Sequence, residues 1–422
     1  MTMSKYNQLT ASTAAARIAG GRITSEALVR DCLARIKARE DEVHAWAYID
    51  PDYAIEQARH RDRNPTGGLL HGIPVGIKDN IDTEDMPTEY GSKLYPGFRP
   101  EKDSATVARL LQQGAVILGK ARTTEFACPW PTITRNPHDL NRTPGVSSAG
   151  SAAAVADFMV PLANGTQTGG SVIRPASLCG IYGFKASLDG LDRSGIRHLK
   201  SSIDTLGLFA RSLEDLVLMR AALVQGAPAK LPKPRKKLRI GVARTHVWSN
   251  ALPETVKMID EAQKALDAVD VELPAYIPDA MAKFAYVTRY EGVRTTDKHV
   301  MERLDEINPW SRDGIIAGQK VTRAEFDAAT QSSEAARRVI DGVFEDYDVL
   351  ITPAATGEAP ADLTLIEGGS FNSLWTHMYA PCVTLPLFKG PNGMPVGLQV
   401  VGKRGCDAAT LAAALWIDAK LK

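Results

Sequence analysis

The sequence alternates between stretches with helical spacing and short apolar runs that are typical of buried strands. The clearest example lies in residues 104–119. Ser104 can cap a helix with Leu110 on its apolar face, Gly114 can end that helix, and residues 115–119 form a short apolar run. Because such helix and strand patterns alternate along the chain, the sequence predicts an α/β fold: a mixed β-sheet with helices on both faces.

The same patterns extend through the rest of the chain. Two helices are predicted within residues 8–40, and small residues predict a closely packed helix at 148–157. More charged helical segments at 253–345 predict an outer helical layer, and the stretch 225–237, rich in Gly, Pro and Lys, is predicted to be a linker. Further strands are predicted at 43–49, 238–242, 349–353 and 396–401, and the apolar run 70–77, broken by Gly72 and Pro74, is consistent with a loop that enters a buried strand.

Composition argues against several classes of function. The 422 residues carry 50 Lys and Arg against 49 Asp and Glu, so the chain lacks the basic character of a nucleic-acid-binding protein. The 5 cysteines are odd in number and include no Cys-x-x-Cys pair, which argues against a disulfide framework or a zinc site. No apolar run reaches the roughly 18 residues of a membrane span, and the first residues do not resemble a signal peptide. We therefore expect a cytoplasmic protein with no metal, no cofactor, and no nucleic-acid or membrane partner.

Residues 165–175 carry the strongest indication of chemistry. They read Gly-Thr-Gln-Thr-Gly-Gly-Ser-Val-Ile-Arg-Pro, so a serine follows two glycines and precedes an arginine by three residues. Glycines allow backbone N–H groups to approach a ligand closely. A serine beside such donors suits acyl transfer, because the donors stabilise the oxyanion that forms when the serine attacks. Gly-Gly-Ser also occurs in ordinary loops, so this stretch alone leaves both interpretations open.

Two other segments carry groups that could serve the same chemistry. In residues 72–80, Lys78 follows an apolar run that is predicted to be buried. A lysine there must pair with a carboxylate such as that of Asp79, reach water, or lose its proton. In residues 144–151 the serines could simply cap the start of a helix. The residues alone therefore allow structural roles for both segments.

Taken in this order and spacing, the three segments resemble the amidase signature family. The resemblance rests on Gly-Ile-Pro-Val-Gly-Ile-Lys-Asp-Asn, on Ser-Ser-x-Gly-Ser-Ala-Ala-Ala-Val-Ala and on Thr-Gly-Gly-Ser-Val-Ile-Arg-Pro-Ala. It is strong over about residues 70–215, is looser toward both ends, and is greatest for members of the short bacterial malonamidase type. It implies the amidase signature fold, a mixed twisted sheet covered by helices, in a single domain over residues 1–422.

The resemblance also implies a Ser–cis-Ser–Lys triad. Ser171 matches the nucleophile, Ser147 matches the bridging serine that follows a cis peptide bond, and Lys78 matches the base. The chemistry is consistent, because a serine needs a nearby base and a buried lysine can become one by losing its charge. The family usually has Gly-Gly-Ser-Ser-Gly-Gly around the bridging serine. Val146 and Ala149 depart from that pattern, and a β-branched residue before the cis bond adds crowding.

Further roles are implied around this triad. In the malonamidase type, the arginine that matches Arg174 holds the free carboxylate of the substrate, a role that suits a bidentate guanidinium. A structural role for this arginine is the alternative. The backbone N–H groups that match the oxyanion hole, together with that of the nucleophile, belong to Thr168, Gly169 and Gly170. The other substrate-binding candidates are Ser148 and Gln167.

These observations predict a metal-free amidohydrolase that cleaves a small amide through an acyl-Ser171 intermediate and releases ammonia or an amine. The preferred substrate would bear a carboxylate, as in a dicarboxylic acid half-amide or a carboxylated urea derivative. One alternative is an amidotransferase subunit that supplies ammonia to a tRNA-dependent partner, and another is a catalytically silent binding protein on the same fold. The expected partner is a small-molecule amide, and a homodimer is left open.

Overall fold

The computed structural model describes residues 5–197, 200–232, 234, 237–365 and 371–422. Within these residues, 11 strands form one mixed sheet, which confirms the predicted α/β class. The strands are β1 (Trp46–Ile49), β2 (Pro74–Lys78), β3 (Val116–Ala121), β4 (Leu162–Gln167), β5 (Tyr182–Lys185), β6 (Thr205–Ala210), β7 (Ile240–Val242), β8 (Val269–Asp270), β9 (Val349–Pro353), β10 (Cys382–Lys389) and β11 (Pro395–Val401). Their order across the sheet is β1-β3-β2-β4-β6-β5-β10-β11-β9-β7-β8.

The α-helices begin at residues whose side chains can satisfy free backbone N–H groups. Thr24 Oγ1 accepts from the Ala27 N–H, and Ser104 Oγ accepts from the Val107 N–H, so the helices predicted there are confirmed. In the described ranges the α-helices are α1 (Ala11–Ala19), α2 (Ser25–Val43), α3 (Pro51–Arg63), α4 (Ala105–Gln112), α5 (Ala149–Ala156), α6 (Ile173–Leu178), α7 (Leu213–Leu223), α8 (Pro253–Leu266), α9 (Ile277–Thr295), α10 (Lys298–Met301), α11 (Pro309–Gly318), α12 (Arg323–Asp346), α13 (Ser373–His377) and α14 (Asp407–Leu421).

The segment with the strongest family resemblance supplies neighbouring strands of the sheet, β3-β2-β4-β6-β5. Strands β2 and β4 are parallel, with Gly76 opposite Ala163, and every residue of both strands is buried. Because parallel strands end at the same edge of a sheet, the last residues of β2 and β4 lie side by side. This pairing brings Lys78, at the end of β2, to the strand that leads into the Gly-Gly-Ser loop.

Helix α5 explains the run of small residues in the second segment. All of its residues are buried, and it packs against β2, β3 and β4. A Cβ atom on Gly150 would lie 2.2 Å from the Ala45 carbonyl oxygen, so only glycine is accommodated at this contact. The close approach places Ser147 and Ser148, just before the helix, against the C-terminal part of β4.

The predicted helical layer is present in residues 253–345, where α9 packs against both α11 and α12. The predicted linker at 225–237 is helix-free and strand-free where it is described, and residues 233, 235 and 236 lie outside the described residues. Over the described ranges, the helices are either too short or too polar to cross a lipid bilayer.

Candidate active site

Lys78 is the last residue of β2, and its side chain is fully buried. Its Nζ atom donates to Ser147 Oγ and to Thr166 Oγ1, each over 2.8 Å, and lies 3.5 Å from the Thr166 carbonyl oxygen. Its backbone N–H donates to the side-chain oxygen of Asn164, which ties the end of β2 to β4. Among the residues with described positions, no carboxylate pairs with the Lys78 amine.

Burial lowers the pKa of Lys78 to about 7, because desolvation disfavours the charged ammonium, while the negative charge of Asp204 acts in the opposite direction. Near neutral pH a large fraction of this amine is therefore uncharged and has a lone pair that can accept a proton. The alternative of an ion pair with Asp79 is wrong, since the Asp79 carboxylate lies 3.6 Å from Nζ of a different lysine, Lys120.

Ser147 lies in the loop before α5, and its side chain is buried beside Lys78. The peptide bond between Val146 and Ser147 is cis, as the family resemblance implies, although a β-branched residue precedes it. The Arg174 guanidinium donates through Nη2 to the Val146 carbonyl oxygen over 3.2 Å. This contact holds the Ser147 loop against α6, the helix that follows the Gly-Gly-Ser loop.

Residues 168–172 connect β4 to α6 and form the wall of the site. Thr168, Gly169 and Ser171 are partly exposed, whereas Gly170 is buried. The backbone N–H groups of residues 169–171 donate to no residue that the structure describes. Unpaired N–H groups beside a partly exposed hydroxyl form an arrangement that can stabilise an oxyanion.

Two of the three predicted triad residues are in direct contact, namely Lys78 and Ser147. The Ser171 hydroxyl makes no hydrogen bond to the described part of the chain. It lies on the short loop that continues from β4, the strand whose Thr166 contacts Lys78. No group of three or more His, Cys, Asp or Glu side chains is placed to hold a metal ion in the described ranges.

Gln167 and Ser148 face the protein interior and are fully buried. Gln167 Oε1 accepts from the backbone N–H groups of Val172 and Ile173, over 2.8 and 3.0 Å, and its Nε2 donates to Thr376 Oγ1 over 2.9 Å. Ser148 Oγ donates to a backbone carbonyl oxygen of β4 over 3.2 Å. The structure thus gives both residues internal partners in place of the predicted contacts with substrate.

Sequence reasoning missed four polar residues around Lys78, namely Asn80, Asn164, Thr166 and Asp204. Thr166 shares its hydroxyl between Lys78 and the side-chain amide of Asn80, which donates over 3.1 Å. The Thr168 hydroxyl donates to the Asp204 carboxylate at the start of β6. One signal was present: Asn164 and Thr166 are polar residues two positions apart in a buried strand, so their side chains lie on one face of it. Asn80 stood within a quoted family segment, but neither it nor Asp204 carries a pattern that indicates a contact.

Comparison with known proteins gives a consistent set of relatives. A family model described as Amidase matches residues 27–411. A glutamyl-tRNA(Gln) amidotransferase subunit of Chloroflexus aggregans is 33% identical over 471 residues, covering 97% of this chain and 95% of the relative. The subunit of the same name from Cyanothece sp. is 31% identical over 438 residues, covering 90% of this chain and 91% of the relative.

Solved structures agree with this family over nearly the whole chain. A crystal structure of an amidase has a TM-score of 0.88 at 28% identity and covers 98% of this chain and 100% of its own. A structure of a vestigial protein complex linked to the origins of an s-triazine catabolic enzyme has a TM-score of 0.87 at 28% identity and covers 98% of both chains. The peptide amidase of Stenotrophomonas maltophilia has a TM-score of 0.84 at 26% identity and covers 98% of this chain and 97% of its own.

Proposed function

The chain belongs to the amidase signature family of amide-cleaving hydrolases, and we propose that it cleaves a small amide through an acyl-enzyme on Ser171. The observation that carries this proposal is the environment of Lys78. Its amine is fully buried, its pKa is lowered to about 7 by desolvation, and it contacts the hydroxyl of Ser147. A serine nucleophile needs such a base, and no other described group in contact with Ser147 supplies one.

The proposed reaction relays a proton from Ser171 to Lys78 through the hydroxyl of Ser147. The uncharged Lys78 amine accepts the Ser147 hydroxyl proton across the 2.8 Å contact. Ser147 in turn accepts the hydroxyl proton of Ser171 as Ser171 Oγ attacks the amide carbon. The C–N bond then breaks while the same path returns the proton to the leaving nitrogen, so an ester forms on Ser171 and ammonia or an amine departs. Water loses a proton to the same path, cleaves the ester and restores the Ser171 hydroxyl.

In this proposal the backbone N–H groups of residues 168–171 hold the oxyanion in both steps, each contributing about 3 kcal/mol. Gln167 acts as a positioning residue for that loop. Its side chain accepts from the N–H groups of Val172 and Ile173, and it donates to Thr376, whose hydroxyl donates to the Gly169 carbonyl oxygen over 3.0 Å. The loop is therefore held from both of its ends.

We further propose that the substrate bears a carboxylate close to the amide and that Arg174 binds it. Arg174 lies in α6, three residues after Ser171, and its guanidinium contacts the loop that carries Ser147. A planar guanidinium favours carboxylates because it offers parallel N–H donors. Replacing Arg174 by alanine removes its contact with the Val146 carbonyl oxygen and should lower kcat for both kinds of amide alike, but it should raise KM for half-amides well above any rise for uncharged amides. An equal effect on KM for both substrates would leave Arg174 with a structural role only.

A second candidate function comes from the curated relatives, which are named amidotransferase subunits. In that function the site would release ammonia to a partner that acts on misacylated tRNA. Residues 123–128 read Thr-Thr-Glu-Phe-Ala-Cys and lack the Asp-Glu-Phe-Ala-Met-Gly usual in that protein. Affinity purification from the native host tests it: a stoichiometric partner would favour the amidotransferase, and its absence together with free turnover would favour the hydrolase.

The direct test of the amidase proposal combines labelling with turnover. A fluorophosphonate probe should add one adduct at Ser171, detected by intact-mass and peptide analysis, and Ser171→Ala should remain unlabelled. A screen of small amides and half-amides, followed by ammonia release, should identify substrates that the wild-type protein cleaves and the alanine variant does not. A wild-type protein that neither labels nor turns over would support the catalytically silent alternative.

A further inference from the structure

A cavity of about 530 Å³ lies between α9, α11 and the residues Phe126, Arg197 and Lys200. Its apolar wall includes Phe126, Trp310 and Ile315, and its polar wall includes Arg197 and Lys200. The cavity thus combines an apolar lining with basic side chains. None of the three proposed triad residues lines it.

Two hydrogen-bonded links join this cavity to the catalytic edge of the sheet. The Lys200 backbone N–H donates to one carboxylate oxygen of Asp204 over 2.8 Å, and the other oxygen accepts from the Thr168 hydroxyl in the oxyanion loop. The Asn80 side-chain amide donates over 3.4 Å to the Arg197 carbonyl oxygen. It also donates to the hydroxyl of Thr166, which accepts from Lys78. Through Asp204 and Asn80, two residues of the cavity lining are therefore tied to the oxyanion loop and to the surroundings of Lys78.

Lys200 is the inner cation of this cavity, and its side chain has no hydrogen-bond or ion-pair partner among residues with described positions. The Glu291 carboxylate instead accepts from the Ser202 N–H and hydroxyl over 3.1 and 2.9 Å. A Cβ atom on Gly292 would lie 2.0 Å from Lys200 Nζ, so glycine leaves room for the ammonium group at the wall. Burial lowers the pKa of Lys200 to about 8 and the Asp204 and Glu291 charges oppose that shift, so the side chain stays mostly charged at pH 7.

Arg197 differs from Lys200, because its charge is already used within the protein. Its guanidinium pairs with Asp297 over 2.7 Å and lies over the rings of Tyr90 and Tyr95, at 4.8 and 4.9 Å from their centroids. A desolvated cation that lacks such partners gains most from an incoming anion.

We propose that this cavity binds a carboxylate at the end of the substrate remote from the scissile amide, with Lys200 as its ion partner. The proposal rests on the amidase function proposed above and deepens it. Arg174 would serve a carboxylate close to the amide, whereas Lys200 would serve one separated from it by an apolar chain or ring. The apolar wall of Phe126, Trp310 and Ile315 suits that spacer.

Kinetics on matched substrates test the proposal. Linear primary amides that end in a carboxylate are compared with amides of equal length that end in a methyl group, over spacers of increasing length. In Lys200→Met we expect KM for the best acidic amide to rise about tenfold, with a change below threefold for its uncharged partner. Lys200→Arg should restore most of the loss. The matched control is Lys283→Met, which removes an exposed lysine of α9 paired with Asp279. Equal losses on both substrates, or no loss on the acidic one, would overturn the proposal.

Binding without turnover separates this site from the amidase proposal. Adipate is titrated into the Ser171→Ala protein and followed by calorimetry. Its dissociation constant should rise about tenfold when Lys200→Met is added, and circular dichroism should show an unchanged fold. Lys200-dependent adipate binding, combined with a wild-type protein that cleaves no amide in the screen, would sustain the site and reject the amidase function. Adipate binding that Arg174→Ala abolishes and Lys200→Met leaves intact would reject the site.

Discussion

Two fully buried lysines lie on neighbouring parallel strands, and their amines contact different kinds of group. Lys78, at the end of β2, contacts the hydroxyls of Ser147 and Thr166. Lys120, in β3, lies 3.6 Å from the Asp79 carboxylate. The register places Lys120 opposite the residue just before Lys78, so the two amines start from adjacent positions of the same sheet. Residue type and burial are matched and the strands are neighbours, whereas the partners of the two amines differ.

The partners decide what each amine can do. Lys120 also donates to the Ile81 carbonyl oxygen over 2.9 Å and to the Thr83 hydroxyl over 3.2 Å, so its ammonium is well satisfied. Burial lowers the pKa of both lysines, and for Lys120 the Asp79 charge is the main opposing influence. A buried lysine beside a carboxylate thus serves structure, whereas one beside hydroxyls can serve as a base. Asp79 follows Lys78 in sequence, yet it stabilises the other lysine.

The largest expected effect comes from removing the proposed base. Lys78→Met should lower kcat about 10³-fold, because the relay then has no proton acceptor, while circular dichroism remains native. Lys120→Met is the matched control, since it removes a buried lysine of the adjacent strand, and it should lower kcat less than tenfold. The measurement is ammonia release at saturating amide. Comparable losses in the two variants would show that the lysines do not differ in function.

The second prediction concerns the free energy of unfolding, to which Lys120 should contribute more than Lys78. Lys120→Met leaves the buried Asp79 carboxylate without its cation and should lower the free energy of unfolding by about 3 kcal/mol. Lys78→Met leaves no carboxylate unpaired and should not lower it. Urea denaturation provides the measurement. Adding Asp79→Asn to Lys120→Met should recover part of the loss, and a double variant no more stable than Lys120→Met would show that the pair is not what stabilises this edge.

Much of this comparison was accessible from sequence, but its decisive part was not. The apolar run before Lys78 left three states of this lysine open, and the family resemblance related it to Ser147 and Ser171. Thr166 is 88 positions away from Lys78 in the chain, and only the parallel pairing of β2 with β4 brings its hydroxyl to the amine. Local spacing carries no information on such a contact.

The predicted substrate contacts show the same limit. Gln167, which lies within the Gly-Gly-Ser segment, was one of the substrate-binding candidates. Strand alternation turns its side chain inward, where Thr376, more than 200 positions away, accepts its N–H. The cavity beside Lys200 is likewise assembled from segments far apart in sequence, around Phe126, on α9 and on α11. Such surfaces follow from tertiary packing and leave no periodic signal.

The third prediction concerns pH. Because only the uncharged Lys78 amine accepts a proton, and its pKa is lowered to about 7, kcat should rise as pH increases through about 7. Below that value kcat should fall about tenfold per pH unit. The profile is best measured with an uncharged amide, so that binding of a carboxylate does not contribute. If kcat instead falls only below pH 5, the base is a carboxylate and the proposed difference in function between the two lysines is wrong.

The smallest effect sharpens the comparison by changing the charge near Lys78. Asp204 is the carboxylate whose charge raises the pKa of Lys78, so Asp204→Asn should shift the acidic limb of kcat to lower pH by less than one unit. Asparagine keeps an oxygen that can accept from the Thr168 hydroxyl, which preserves the loop contact. Asp189→Asn is the control, because that carboxylate is exposed and pairs with Arg193. Its profile should coincide with that of the wild type. A limb that stays fixed or moves to higher pH in Asp204→Asn would mean that the titrating group is not Lys78, since removing a negative charge from the surroundings of a lysine favours its uncharged form.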